Sequence, residues 1–123
     1  MLGDTLTVTL GGSGGTARVC NKINQYNYSS EYLNQGTGDE VRVKVRHTKE
    51  NPGSDGRKLD RHNVEITQTV YAVPDTSPEY RRVVSYTVRN FPDDTAADVV
   101  DVGEAMSYIM DDTLLTGLNG WES

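Results

Sequence analysis

Residues 41–46 read Val-Arg-Val-Lys-Val-Arg, a strict alternation of apolar and cationic side chains. On a pleated strand this sends three valines to one face and Arg42, Lys44 and Arg46 to the other, with the cations about 6–7 Å apart. Such a row suits the phosphates of a nucleic-acid backbone, where cations offset charge and neighbouring hydroxyls and amides fix geometry. Arg61, Arg81 and Arg89 fall in similar alternating runs among Asn63, Thr67, Thr69, Ser85 and Thr87. Glu40 and Glu65 dilute the row, and a solvated sheet face explains the same pattern without a ligand. Tyr71, in phase with Asn63 and Thr67, is a single aromatic and a weak signal for base stacking.

The distribution of the other charges favours the polyanion reading. The chain has 12 bases and 18 acids, a net charge of -6. All the bases lie in the first ninety residues, whereas eight acids and no base follow residue 90. A part near +2 is thus joined to a tail of -8, so an acidic protein can still present a cationic side.

Catalytic and metal chemistry find little support. The sequence has no Gly-x-Ser-x-Gly elbow and no His-Glu-x-x-His pair. His47 and His62 read as neutral sheet histidines, and the lone Cys20 reads as a small, partly buried side chain. Asp93, Asp94, Asp98 and Asp101 could hold Ca²⁺ at a chain interface, although helix capping and a solvated face account for them as well. The glycine-rich residues 11–15 are not followed by Gly-Lys-Ser/Thr, so they suit a tight turn better than a phosphate loop.

These side chains must be positioned by strands first and helices last. Residues 5–10 and 16–23 alternate on either side of the glycine turn, which makes a hairpin. Further strands are expected over residues 28–33, 39–49, 61–73 and 80–89, with Val84, Tyr86 and Val88 facing away from Arg81, Val83, Ser85, Thr87 and Arg89. After Pro92 the period changes: Val99, Val102, Gly103, Met106, Ile109 and Met110 gather on one side of a helix capped by Asp94 or Thr95. Leu114, Leu115 and Leu118 suggest a second short helix, with Trp121 as a packing anchor. The expectation is one α+β domain over residues 1–123, with a hairpin at 1–24, an antiparallel sheet at 28–90 and helices at 94–120. The helical stripe should cover the valine face and leave the cationic face open. Only 35% of residues are apolar, a thin supply that suggests a core shared with a partner chain. No run approaches a membrane span and no signal peptide is recognisable, so a soluble protein made in a cytoplasm is expected.

The order of these elements resembles the coat proteins of single-stranded RNA bacteriophages, the levivirus group. Local echoes are Leu2-Gly3-Asp4-Thr5-Leu6-Thr7, Gly11-Gly12-Ser13-Gly14-Gly15-Thr16-Ala17, Lys44-Val45-Arg46-His47-Thr48-Lys49-Glu50, Arg61-His62-Asn63-Val64-Glu65 and Gly120-Trp121-Glu122-Ser123. The likeness is to a divergent branch and lies in their joint order.

The resemblance implies an N-terminal hairpin, a five-stranded antiparallel sheet and two C-terminal helices. It also implies an intertwined dimer, with Val99, Val102, Met106, Ile109 and Met110 at the seam. Dimers would close an icosahedral shell around single-stranded RNA in the bacterial cytoplasm, giving a virion protein with no enzymatic role and no membrane partner. The RNA-facing positions would be Arg42, Lys44, Arg46, Arg61, Asn63, Glu65, Thr67, Arg81, Ser85, Thr87 and Arg89. No cofactor is implied, although some divergent members use calcium between subunits. Residues 74–79 correspond to the loop that gathers around the shell's symmetry axes. Two positions depart from the group: Val83 stands where an aromatic stacks on a base, and Glu65 where a cation would help. Generic genome contact is therefore the expectation, ahead of recognition of one RNA stem-loop. A free dimeric RNA-binding repressor is the alternative.

Overall fold

The computed structural model describes residues 2–123. Six strands, β1 (Thr5–Leu10), β2 (Thr16–Tyr26), β3 (Ser29–Gln35), β4 (Asp39–Lys49), β5 (Asp60–Val70) and β6 (Tyr80–Asn90), are followed by helices α1 (Ala96–Ile109) and α2 (Asp112–Asn119). All strands pair antiparallel with their sequence neighbours in one sheet of order β1-β2-β3-β4-β5-β6. The α+β class and the order of elements agree with the sequence reading, but the sheet has six strands, not five. The N-terminal hairpin is continuous with the sheet because β2 is long enough to pair with both β1 and β3.

The core explains why the hairpin belongs to the sheet. Val41, Val43 and Val45 of β4 are buried with Cys20 and Tyr32, and Leu6, Val8 and Leu10 of β1 pack against them. In a flat sheet β1 would stand about 14 Å from β4, three strand spacings away. Burial of the β4 valines within this cluster, with the Tyr32 hydroxyl of β3 donating to the Gly3 carbonyl just ahead of β1 at 3.0 Å, goes with a sheet that rolls at its hairpin end. A register shift between Lys22 and Asn24 supplies an extra residue in β2, which bends the strand where the roll begins. Each valine removed from water in this way contributes about 1.5–3 kcal/mol. The turn that starts the hairpin needs its glycines: a Cβ on Gly15 would stand 2.0 Å from the Leu10 carbonyl oxygen, and Gly12 has φ +70°.

One expectation is corrected in part: the β4 valines are covered by the chain's own hairpin, while α1 faces only Val84, Tyr86 and Val88 of β6. Residue alternation identifies a face that needs cover but carries no information about which distant segment supplies it. Helix α1 lies on the same side of the sheet at its other end, where the Tyr86 hydroxyl donates to the Gly103 carbonyl. Thr95 occupies the N-cap with no side-chain cap bond, whereas Asp111 caps α2 by accepting from the Leu114 amide at 2.9 Å. Neither helix has a buried residue, and Val102 is 74% exposed. Trp121, expected to anchor the second helix, is 94% exposed with φ 65°. A single chain offers it nothing to pack against.

A polar chain ties the rolled sheet together on the core face. Arg18 of β2 donates to Asn34 of β3 at 2.8 Å and to both carboxylate oxygens of Asp39 in β4 at 3.0 Å. Gln68 of β5 donates to Asp39 at 2.9 Å, and Arg82 of β6 donates to the Gln68 carbonyl oxygen at 3.0 Å. These bonds cross five strands. The hydrogen bond from Gln68, aided by Arg18, holds the Asp39 carboxyl below its ordinary value. Burial pushes the Cys20 thiol up, which suits an inert core residue more than a reactive one.

Candidate nucleic-acid interface

Strand register puts the cations on one face. Arg42 is opposite Thr67, Lys44 opposite Glu65, and Arg46 opposite Asn63 across β4 and β5. Thr67, Glu65 and Asn63 are in turn opposite Val83, Ser85 and Thr87 of β6, and Arg61 and Thr69 are opposite Arg89 and Arg81. All eleven positions expected to face RNA thus share the side of the sheet away from the valine core. The helices lie on the other side, so no helix covers this face among the described residues. The acidic charge of α1 and α2, with Asp98, Asp101, Glu104 and Asp112 and no Lys or Arg, is segregated from it.

The cations are not equally available. Arg42 is paired with Glu31 and, at 3.3 Å, with Glu40. The hydrogen bond to Glu31 raises its already high pKa. Arg46 pairs with Glu65 at 3.2 Å, Arg81 with Glu79 at 3.9 Å and Arg89 with Glu50 at 2.8 Å. Hydrogen bonding to Glu50 likewise raises Arg89. Among the described residues Lys44 and Arg61 alone of the six make no ion pair. Glu31, which alternation within β3 alone does not mark as a partner of Arg42, is brought to the cationic face by pairing of β3 with β4.

Asn63 is on the cationic face by register but is only 1% exposed. Its amide nitrogen donates to Ser85 Oγ at 2.8 Å, Thr87 Oγ1 at 3.0 Å and the Tyr86 carbonyl at 3.1 Å, and its oxygen accepts from Arg46 at 2.8 Å. The geometry makes it a residue that orients three neighbours, not one that reaches outward. Ser85, Thr87 and Arg46 are exposed around it, so the surface presents an orderly set of hydroxyls beside a guanidinium.

An aromatic side chain unmarked by alternation also faces this side. Tyr26 is opposite Ser29, which is opposite Arg46, and it is 71% exposed. Simple alternation from Val19 and Asn21 would turn Tyr26 to the core face. The extra residue at the β2 register shift reverses the phase. A recess of about 210 Å³ beside the Tyr28 turn opens on the core side, while one of about 200 Å³ lined by Asn24, Ser29, Glu31, Lys44 and Arg46 indents the cationic side. Val83 is exposed where the resembled group has a stacking aromatic.

At the far end of the other face, α1 and β6 enclose an open groove of about 820 Å³. Val84, Tyr86 and Val88 form one wall, and Val102, Met106, Ile109, Met110 and Leu115 form the other. Four of the five expected seam residues line it, and Val99 is half-buried beside it. Strand β6 is the sheet's free edge here, with a partner on one side only. Among the described residues no three His, Cys, Asp or Glu side chains converge on a metal position. Asp93 pairs with Arg57 at 3.5 Å and Asp94 accepts from the Thr95 amide at 2.7 Å. No helix is long and apolar enough to cross a membrane.

The family model described as phage phiCb5, coat protein, matches residues 3–91, which comprise the whole sheet. A search of the curated proteins returns no match. Among solved structures, the virus-like particle of Beihai levi-like virus 21 aligns with a TM-score of 0.72 at 12% identity, covering 100% of this chain and 98% of that one. The bacteriophage EMS014 coat protein aligns with a TM-score of 0.66 at 14% identity, covering 87% of this chain and 72% of that one. At these identities the two neighbours establish the shared fold.

Proposed function

The chain belongs to the phage phiCb5 coat protein family, and from that premise we propose that two copies pair along β6 and that the dimers close a shell around single-stranded RNA. As a capsid coat protein it is a component of a virion. The observation that carries the pairing is the apolar groove of about 820 Å³ between α1 and the edge strand β6. A groove walled by valines, methionines and an isoleucine is costly in water and gains by receiving a second copy of the same surface. Two β6 edges meeting antiparallel would continue the sheet and satisfy the backbone groups that one chain leaves open.

Pairing of this kind makes the cationic faces of two chains one wide surface, directed inward. The acidic helices then lie outside, where they meet solvent and keep shells apart. Lys44 and Arg61 offer free charge to phosphates, while Ser85, Thr87 and Thr67 offer hydroxyls for position. Arg42, Arg46, Arg81 and Arg89 exchange carboxylates for phosphates only when RNA competes successfully, so affinity is tempered and strongly salt-dependent. Generic genome contact follows from this chemistry better than base readout, because Val83 supplies no stacking ring. The chain performs no catalysis in this account, and assembly is completed in the cytoplasm of the bacterial host.

The test is to replace Arg42, Lys44 and Arg46 together by Ser and to measure nucleic-acid content of the purified assemblies by ultraviolet absorbance. The proposal predicts a fall in RNA content with the fold intact. Unchanged packaging would move the RNA to another surface. A soluble RNA-binding dimer that never forms shells would instead make the chain a free repressor.

A further inference from the structure

His47 of β4 and His62 of β5 are register partners at the end of the core face, beyond the valine cluster. Their Nδ1 atoms stand 2.9 Å apart, and the rings meet edge to face with centroids 5.1 Å apart. With both rings neutral, one Nδ1–H donates to the other Nδ1. We propose that this pair is a chelating site for a late first-row divalent transition-metal ion, with Cu²⁺ and Ni²⁺ preferred.

The geometry carries the choice of metal. If the two nitrogens keep their 2.9 Å spacing while each ring turns its Nδ1 lone pair out of the hydrogen bond toward a shared ion, a nitrogen-to-metal distance of about 2.0–2.1 Å sets a nitrogen–metal–nitrogen angle of about 90°. That is the cis angle of tetragonal and octahedral sites, favoured by Cu²⁺ and Ni²⁺, and it is narrower than the tetrahedral angle suited to structural Zn²⁺. Imidazole nitrogens are poor ligands for Ca²⁺, which takes oxygens. Binding needs both rings with hydrogen on Nε2, so the donor ring passes its Nδ1 proton to water and regains one at Nε2. Charge is conserved, and no ligand is oxidised or reduced.

The surroundings suit a labile, two-ligand site. A recess of about 340 Å³ lined by Tyr28, Thr48, Lys49 and Asp60 beside the two histidines leaves room for water on the remaining positions. The Lys49 ammonium, which would oppose a cation, is held at 2.8 Å by the Asp60 carboxylate. Eleven register pairs join β4 to β5, so the two Cα positions are fixed before any ion arrives. Among the described residues no third His, Cys, Asp or Glu completes the set. The ion would therefore pin β4 to β5 and remain exchangeable.

Titration of the purified protein with CuCl₂ or NiCl₂ alone, by equilibrium dialysis and by the visible absorption of bound Cu²⁺, tests this. One ion per chain is expected, with His47→Gln and His62→Gln each weakening binding about tenfold or more and excess CaCl₂ leaving it unchanged. Binding that is identical in both variants, or two ions per chain, would overturn the site. As a check that needs no variant, bound Ni²⁺ should protect both histidines of the native protein from diethyl pyrocarbonate. Modification at the unprotected rate would also overturn it.

Discussion

Arg46 donates to the Asn63 side-chain oxygen at 2.8 Å across β4 and β5, so the position of an exposed cation is set by a buried amide. The same amide holds Ser85 and Thr87. A polar group placed under a polar face in this way fixes the side chains above it. Asn63→Ala would leave the Tyr86 carbonyl without this donor and the Arg46 guanidinium unguided. A loss of about 1–3 kcal/mol in denaturant unfolding is expected, together with reduced RNA content in the particles that still form. Unchanged stability would show that water replaces the amide at no cost.

Unequal pairing of the cations predicts unequal effects on RNA binding. Lys44→Ser and Arg61→Ser remove charges that no carboxylate neutralises, so together they should flatten the salt dependence of single-strand affinity by about 1.4 in logarithmic slope, at about 0.7 per phosphate contact. Glu65→Gln releases Arg46 and should steepen the slope by about 0.7. Filter binding of a homopolymeric RNA at several salt concentrations reads both. A Glu65→Gln slope equal to that of the native protein would show that the Arg46–Glu65 pair opens freely when RNA binds, and an unchanged slope for the double variant would remove Lys44 and Arg61 from the contact.

The groove predicts a seam. Met106→Asp combined with Ile109→Asp puts two carboxylates on the apolar wall facing Val84 and Val88, and should abolish the dimer without disturbing the sheet, since neither residue touches the hairpin core. Sedimentation velocity together with circular dichroism separates loss of association from loss of fold. A dimer of the double variant would remove α1 from the interface.

Acid sensitivity should trace to Asp39. Its carboxyl lies below the unfolded value because Gln68 and Arg18 hydrogen-bond to the charged form. Stability from this group is fully present above about pH 4, the unfolded carboxyl range, and is lost as pH falls through the lower folded value. Asp39→Asn should flatten the pH dependence of unfolding over that acid window. It should also cost about 1–3 kcal/mol at neutral pH by leaving Arg18 without its anion. An unaltered acid profile would assign the sensitivity to other carboxylates.

Local alternation made the strands, the cationic face and the two helices legible. The valines of β4, the glycine turn and the Asp112–Asn119 helix all stand where periodicity and turn chemistry put them. What alternation could not carry was anything set by a distant partner. The packing of Leu6, Val8 and Leu10 against the core cluster goes with a strand β2 bent by one extra residue, and the same residue turns Tyr26 to the cationic side. Glu31 becomes the partner of Arg42 only through strand pairing, which also leaves Lys44 and Arg61 as the free cations. His47 and His62 read as two unrelated sheet histidines until register placed them opposite each other. Apolar type alone marks Trp121 and the stripe of α1 as core, yet a single chain leaves Trp121 exposed and the stripe only partly covered.

The most direct test of the central claim is to express the chain alone in bacteria, isolate the high-molecular-weight fraction, and image it by electron microscopy while recording its nucleic-acid to protein absorbance ratio. Uniform round shells rich in RNA are the predicted result. A discrete dimer that forms no particles, or shells free of nucleic acid, would contradict it.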